Sequence, residues 1–155
     1  MAKTDDAHRP QPTGETLRFM QRLWDLAHAM DVRSKHMAKT LGVTSPQRLV
    51  IRVVGQAPGM TARDIAATLN IHPSTLTGVL ARLEKQGMLV RTIDPVDRRR
   101  AHFQLTPAGL RIDRERRGTV EAAVRRALGR ANAPTIERTE AMLALLVTEL
   151  GRDDD

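Results

Sequence analysis

The segment from Pro73 to Leu105 changes its hydrophobic period partway along, and that change limits the folds open to the chain more than any other feature. Between Pro73 and Gly87, the residues Leu76, Val79, Leu80 and Leu83 fall at i, i+3, i+4 and i+7, the spacing of one buried helical face. Past Gly87 the period drops to two. Leu89-Val90-Arg91-Thr92-Ile93 and Ala101-His102-Phe103-Gln104-Leu105 read as paired strands, anchored by Ile93 and Phe103, on either side of the turn DPVDRRR. A helix that feeds straight into a β-hairpin leaves few architectures.

The flanking elements narrow them further. Leu17, Met20, Leu23, Trp24, Ala27 and Met30 recur at helical spacing from Glu15 to about Ala38, which predicts one long amphipathic helix closed near Gly42, with Trp24 in the core. Ser45-Pro46 offers an N-cap and a first-turn proline for a second helix, whose buried stripe is Leu49, Val50, Val53 and Val54. Thr61 and Asp64 have the form of a capping box ahead of a short helix that buries Ile65, Ala66 and Leu69. Asn70-Ile71-His72 turns the chain into the helix at Pro73. After the hairpin, Thr106-Pro107 opens a helix expected to run unbroken to about Leu128, and Asn132 to Pro134 separates it from a last helix marked by Ile136, Leu143, Leu146, Val147 and Leu150. The expected class is mainly α with a small β-hairpin, a helix-turn-helix carrying a wing between long terminal helices. Residues 1–13 and the closing GRDDD are polar and read as disordered ends around a single domain over 14–155.

Charge points to a partner. Residues 45–117 hold 13 Lys and Arg against 6 Asp and Glu, which is the whole surplus of +7, while the remaining segments hold 12 of each sign. A basic middle in a neutral frame suits a polyanion. With two Phe, one Trp and no Tyr there is little on which single-stranded bases could stack, so duplex DNA is the better partner. The absence of cysteine excludes disulfides, thiolate metal sites and thiol redox sensing. His28, His36, His72 and His102 do not form the i, i+4 pairing with a carboxylate that a helical metal site favours, and no metal or cofactor is expected. No stretch approaches the roughly 18 apolar residues needed to span a bilayer, and the start lacks an apolar secretion core, so no membrane partner and a cytoplasmic location are expected. No catalytic grouping of Ser, His and Asp and no Gly-rich phosphate loop argues for an enzyme.

The helix at Pro73 turns Ser74, Thr75, Thr77, Gly78 and Arg82 away from its apolar face, with Lys85 nearer its end. Short hydroxyls there suit base edges and phosphates. Glycine inside a helix costs on the order of 1 kcal/mol relative to alanine, which close approach of either a DNA strand or a neighbouring helix would offset. Thr61 and Arg63 open the preceding helix, where N–H groups and a cation can meet a phosphate, and Thr61 serves equally well as a cap. In the turn, an arginine among Arg98, Arg99 and Arg100 can enter the minor groove, where the negative potential is strongest, with Asp94 and Asp97 available to hold an arginine or the turn's N–H groups.

STLTGVLARLEKQGMLVR followed by DPVDRRRAHFQLTPAG resembles the winged-helix domain of the MarR family (multiple antibiotic resistance regulators) of bacterial transcription factors, over about Ser45 to Gly109. The resemblance implies a homodimeric, sequence-specific regulator, in most cases a repressor released by a small-molecule effector. It divides the chain into a DNA-binding lobe over 45–106 and dimerisation helices over 14–41 and 107–150. The apolar stripes of the terminal helices, with little else in the chain to cover them, agree with that. It puts the recognition helix, about 73–86, in the major groove of a pseudo-palindromic operator and the wing, about 94–100, in the minor groove. Ser74, Thr75, Thr77 and Arg82 then contact bases or phosphates, Arg99 enters the minor groove and Asp97 positions it. Family effectors are commonly small anionic aromatics, for which Trp24, His28 and Arg48 lie on elements lining the family's cleft. A non-specific architectural DNA-binding protein would use the same basic middle and is the alternative.

Overall fold

The computed structural model describes residues 14–152, so the N-terminal arm expected over 1–13 and the last three residues lie outside the described residues. The first helix, α1 (Glu15–Leu41), is closed by Gly42. In α2 (Ser45–Gln56) the cap is Thr44 rather than Ser45. The backbone N–H of Ser45 is taken by the Ser34 hydroxyl at 2.9 Å, while Thr44 and Gln47 form a capping box in which Gln47 Oε1 accepts from the Thr44 N–H at 2.8 Å. A two-residue strand, β1 (Met60–Thr61), then α3 (Ala62–Leu69) and α4 (Pro73–Lys85) follow.

The strands expected after Gly87 form as β2 (Leu89–Ile93) and β3 (Ala101–Leu105). The sheet nonetheless has three antiparallel strands in the order β1-β3-β2, because Met60 and Thr61 pair with Phe103 and His102. Two residues are too few to show a period, so β1 is silent in the sequence. Gly59 enters it at φ +88°, where a side chain would be strained, and donates its N–H to the Phe103 carbonyl at 2.9 Å. The result is a mainly α winged helix-turn-helix.

One core holds this lobe together: Val50, Ile51 and Val54 of α2 meet Ile65, Leu76, Leu80, Leu83, Leu89 and Phe103. The α2 stripe is rotated from the expected one, so Leu49 is exposed while Gln47 and Arg48 are buried. Phe103 and Leu89 anchor the wing strands, while Ile93 is half exposed.

The helix expected to run unbroken to Leu128 is two helices, α5 (Pro107–Arg114) and α6 (Val120–Leu128). Three local interactions stop the first and start the second. Glu115 turns extended, and its carboxylate accepts the N–H groups of Arg116 and Arg117 at 2.8 Å each, which holds that carboxyl below its ordinary pKa. Gly118 takes φ +71°, and Thr119 caps α6 by accepting from the Ala122 N–H at 3.1 Å. The last helix, α7 (Ala133–Leu150), is capped by Asn132 and buries none of its side chains. Trp24 is not core as expected: it is 68 % exposed on α1, along with Leu17 and Met20. Among the described residues no helix is long and apolar enough to cross a membrane.

Candidate nucleic-acid interface

The polar face of α4 is free to meet a ligand. Ser74, Thr75, Thr77, Gly78 and Arg82 are all exposed, opposite the buried Leu76, Leu80 and Leu83. A Cβ added to Gly78 would meet nothing within 4 Å, so no neighbouring helix of this chain explains the glycine. His72, in the tight connection ahead of α4, is its N-cap: its Nδ1 accepts from the Ser74 N–H at 3.3 Å and lies 2.7 Å from the Ser74 hydroxyl. The Thr77 hydroxyl donates to the Pro73 carbonyl at 2.9 Å, which leaves its lone pairs outward as acceptors.

Thr61 caps α3 in a reciprocal box. Its hydroxyl donates to Asp64 Oδ2 at 2.7 Å and accepts from the Asp64 N–H at 3.3 Å; the hydroxyl bond and then the Thr61 N–H, which donates to the same Oδ2 at 3.2 Å, hold the Asp64 carboxyl below its ordinary pKa. Arg63 is exposed beside it.

Both wing aspartates hold the backbone of the turn. Asp94 Oδ1 accepts from the N–H groups of Val96 and Asp97 at 2.8 and 3.1 Å, and Asp97 Oδ1 accepts from the Arg99 N–H at 3.0 Å. Asp97 therefore acts on Arg99 through the backbone and not through its guanidinium. Asp94 Oδ2 lies 3.0 Å from His102 Nε2, and with the two N–H bonds this contact pulls the Asp94 carboxyl down to about 2. The tip they support is bare: Val96 is 94 % exposed.

Between the wing, α4 and the start of α3 lies a groove of about 820 Å³ whose walls include Arg63, Arg91, Arg99 and Arg100. None of the four shares an ion pair within 4 Å with another described residue. Unpaired guanidiniums crowded into one concave surface raise the local potential and favour an anion there. Arg98 is exposed but is not part of that lining, so the arginine run divides, with Arg99 and Arg100 towards α4. Arg91 escaped the sequence reading. It sits opposite Phe103 in the ladder, a register that no local pattern in the sequence reveals.

Behind the interface, Arg48 does something different from the effector contact expected of it. It is 2 % exposed, and its guanidinium is filled: Nε donates to both Glu121 carboxylate oxygens at 3.0 Å, and the two terminal nitrogens donate to the carbonyls of Ile112 and Glu115. One side chain so ties α2 to the end of α5 and the start of α6. Arg52 adds an ion pair to Asp113 at 2.6 Å. The apolar cleft against α6, about 380 Å³, is lined by Met30, Leu49, Val124 and Leu128, with Glu121 and Arg125 as its charged groups. Trp24 and His28 are exposed on α1 outside that lining. The cation facing the cleft is Arg125; Arg48 is buried and not part of the lining.

Comparison with known proteins agrees with this architecture. A family model described as the MarR family matches residues 41–100. The HTH-type transcriptional regulator FarR of Neisseria gonorrhoeae is 32% identical over 118 residues, covering 73% of this chain and 75% of that protein. The HTH-type transcriptional repressor Rv2887 of Mycobacterium tuberculosis is 29% identical over 106 residues, 68% of this chain and 76% of that one. Among solved structures, the PcaV transcriptional regulator from Streptomyces coelicolor, in complex with its natural ligand, superposes with a TM-score of 0.66 at 26% identity over 96% of this chain and 98% of that chain.

Proposed function

Since this chain belongs to the MarR family and is a DNA-binding transcriptional regulator, we propose that it acts as a homodimeric repressor that reads a pseudo-palindromic operator and is released by a small organic effector. The observation that carries the DNA-reading part is the arginine-lined groove between α4 and the wing. In a duplex complex α4 occupies the major groove, with Ser74, Thr75, Thr77 and Arg82 towards bases and phosphates. The phosphate strand runs through the groove past Arg63, Arg91 and Arg100, and Arg99 leads into the minor groove. Half-site centres lie about one turn, roughly 10 base pairs, apart.

The dimer reading rests on the terminal helices. Leu17, Met20 and Trp24 of α1 and Leu143, Val147 and Leu150 of α7 are exposed in the single chain, a larger apolar surface than a monomer keeps in water. A second copy of the chain covers them. The effector reading rests on the cleft beside α6, where apolar walls and Arg125 suit an anionic aromatic molecule. The ligand held by PcaV supports looking for one.

The test is titration of a duplex selected from genomic fragments, against random duplex, at fixed salt. A regulator prefers the selected site by about 10³ or more, whereas an architectural protein binds both alike. Arg91→Ala and Arg99→Ala each weaken the selected duplex by about tenfold or more, the worth of a charged hydrogen bond, with the dimer intact. Arg91→Ala also lowers the slope of log affinity against log salt by about one. Wild-type affinity in both variants would remove the groove from the interface.

A further inference from the structure

We propose that His102 is a positioning residue for the wing: as the imidazolium it ties the wing turn to the loop ahead of β1, and affinity for duplex DNA therefore depends on pH. The DNA part of this rests on the interface reading above.

The argument is one of donors and acceptors. His102 Nε2 lies 3.0 Å from Asp94 Oδ2, and Nδ1 lies 2.8 Å from the Gly59 carbonyl oxygen. An ionised carboxylate and a peptide carbonyl can only accept. Neutral imidazole carries a single N–H and so leaves a lone pair facing one of these oxygens, whereas the imidazolium donates to both. The two oxygens belong to different parts of the fold. Asp94 closes the wing turn through the N–H groups of Val96 and Asp97. Gly59 is fixed to β3 by its own N–H to Phe103. A protonated His102 thus joins the arginine-bearing turn to the root of the sheet at a point beyond the strand ladder.

The surrounding charges are few. Asp94 favours the charged ring and Arg100, at the start of β3, opposes it. The register partners of His102 on the two neighbouring strands, Thr61 and Thr92, carry no charge, and on α3 Arg63 and Asp64 lie with Arg100 along the groove. The net effect raises the His102 pKa above 6.5, chiefly through the Asp94 hydrogen bond and then through Gly59. A group whose folded pKa is raised contributes fully below its unfolded value and loses that contribution as pH rises through the folded one. The latch is complete below 6.5 and opens on the alkaline side. On the acid side Asp94 keeps its charge down to about 2, so the carboxylate is in place throughout.

Nitrogen-15 NMR of the full chain without DNA, from about pH 5 to about pH 8, reads the ring directly across the window where imidazole changes charge. His102 is expected to carry protons on both nitrogens at pH 6.5, and Asp94→Asn, which keeps the turn's acceptor oxygen, is expected to lower its pKa. A neutral His102 at pH 6.5, or one that Asp94→Asn leaves unmoved, overturns the latch. In duplex titrations at fixed ionic strength, wild-type affinity falls between about threefold and tenfold from acid to alkaline, the range for a pKa that differs by half to one unit between free and bound protein. His102→Gln removes that dependence, while His72→Gln, which alters the α4 cap, retains it. A His102→Gln protein with the wild-type pH slope overturns the proposal. Because the NMR measurement needs no DNA, a tied His102 in a protein without affinity for duplex overturns the interface reading instead.

Discussion

Replacing Arg48 by methionine should destabilise the protein out of proportion to the modest change in size. Methionine fills much of the volume of the arginine stem but donates nothing. The carbonyl of Glu115 loses the Arg48 donor, while that of Ile112 keeps the Glu115 N–H at 3.1 Å. Glu121 loses both bonds to Nε, yet its side chain is one-third exposed and can turn to water. Removing one partner of a buried, hydrogen-bonded ion pair costs about 3–5 kcal/mol, and the rehydration open to Glu121 and the bond kept by Ile112 put this case near the lower end, about 3 kcal/mol. Against a total of roughly 5–15 kcal/mol for a domain, that is a large fraction. The assay is urea unfolding followed by circular dichroism at one fixed protein concentration, with Glu121→Gln as the companion variant. Glu121→Gln should cost about 3 kcal/mol as well, because Arg48 keeps its hydrogen bonds but its guanidinium, 2 % exposed, loses its counter-charge. An Arg48→Met protein within about 1 kcal/mol of wild type would refute the view that this guanidinium holds the α5–α6 junction.

Gly78→Ala should raise thermal stability, since alanine gains about 1 kcal/mol of helix propensity in open space, and should weaken binding to the selected duplex. Unchanged duplex affinity would mean that the backbone of α4 does not approach DNA closely there. Leu143→Glu should raise the dimer dissociation constant about a hundredfold or more by setting a charge in the apolar α7 face, as read by sedimentation equilibrium. A variant that sediments like wild type would place the dimer contact elsewhere.

Some of this was open to reading from residue order and some was not, and the divide follows interaction range. The strands Leu89–Ile93 and Ala101–Leu105 and the helix from Pro73 were legible because periodicity, proline and glycine act within a few residues. The break after Arg114 was not, since a run of Arg and Glu with a single glycine also describes an exposed helix. Its cause includes Arg48, 73 residues from Glu121 in the chain. The spacing of Trp24 belongs to an apolar face, but spacing does not say whether the surface that covers the face lies in the same chain. Within the site, α4's outward hydroxyls followed from the helical period. The Asp94–His102 contact and the place of Arg91 depended on how β1, β2 and β3 pair, which no local pattern reveals.

The break between α5 and α6 bears on how such a regulator could diverge. Lengthening a continuous helix by one residue would swing everything beyond it by about 100° and scramble every face it presents. Five non-helical residues, 115–119, interrupt that rod, so the setting of α6 against α5 is fixed by the contacts of the joint, Arg48 among them, and not by helical phase. In the dimer proposed above, the setting of α5 against α6 helps fix the distance between the two recognition helices. The joint is thus where a lineage could acquire operators of new spacing while the residues that read the bases stay untouched.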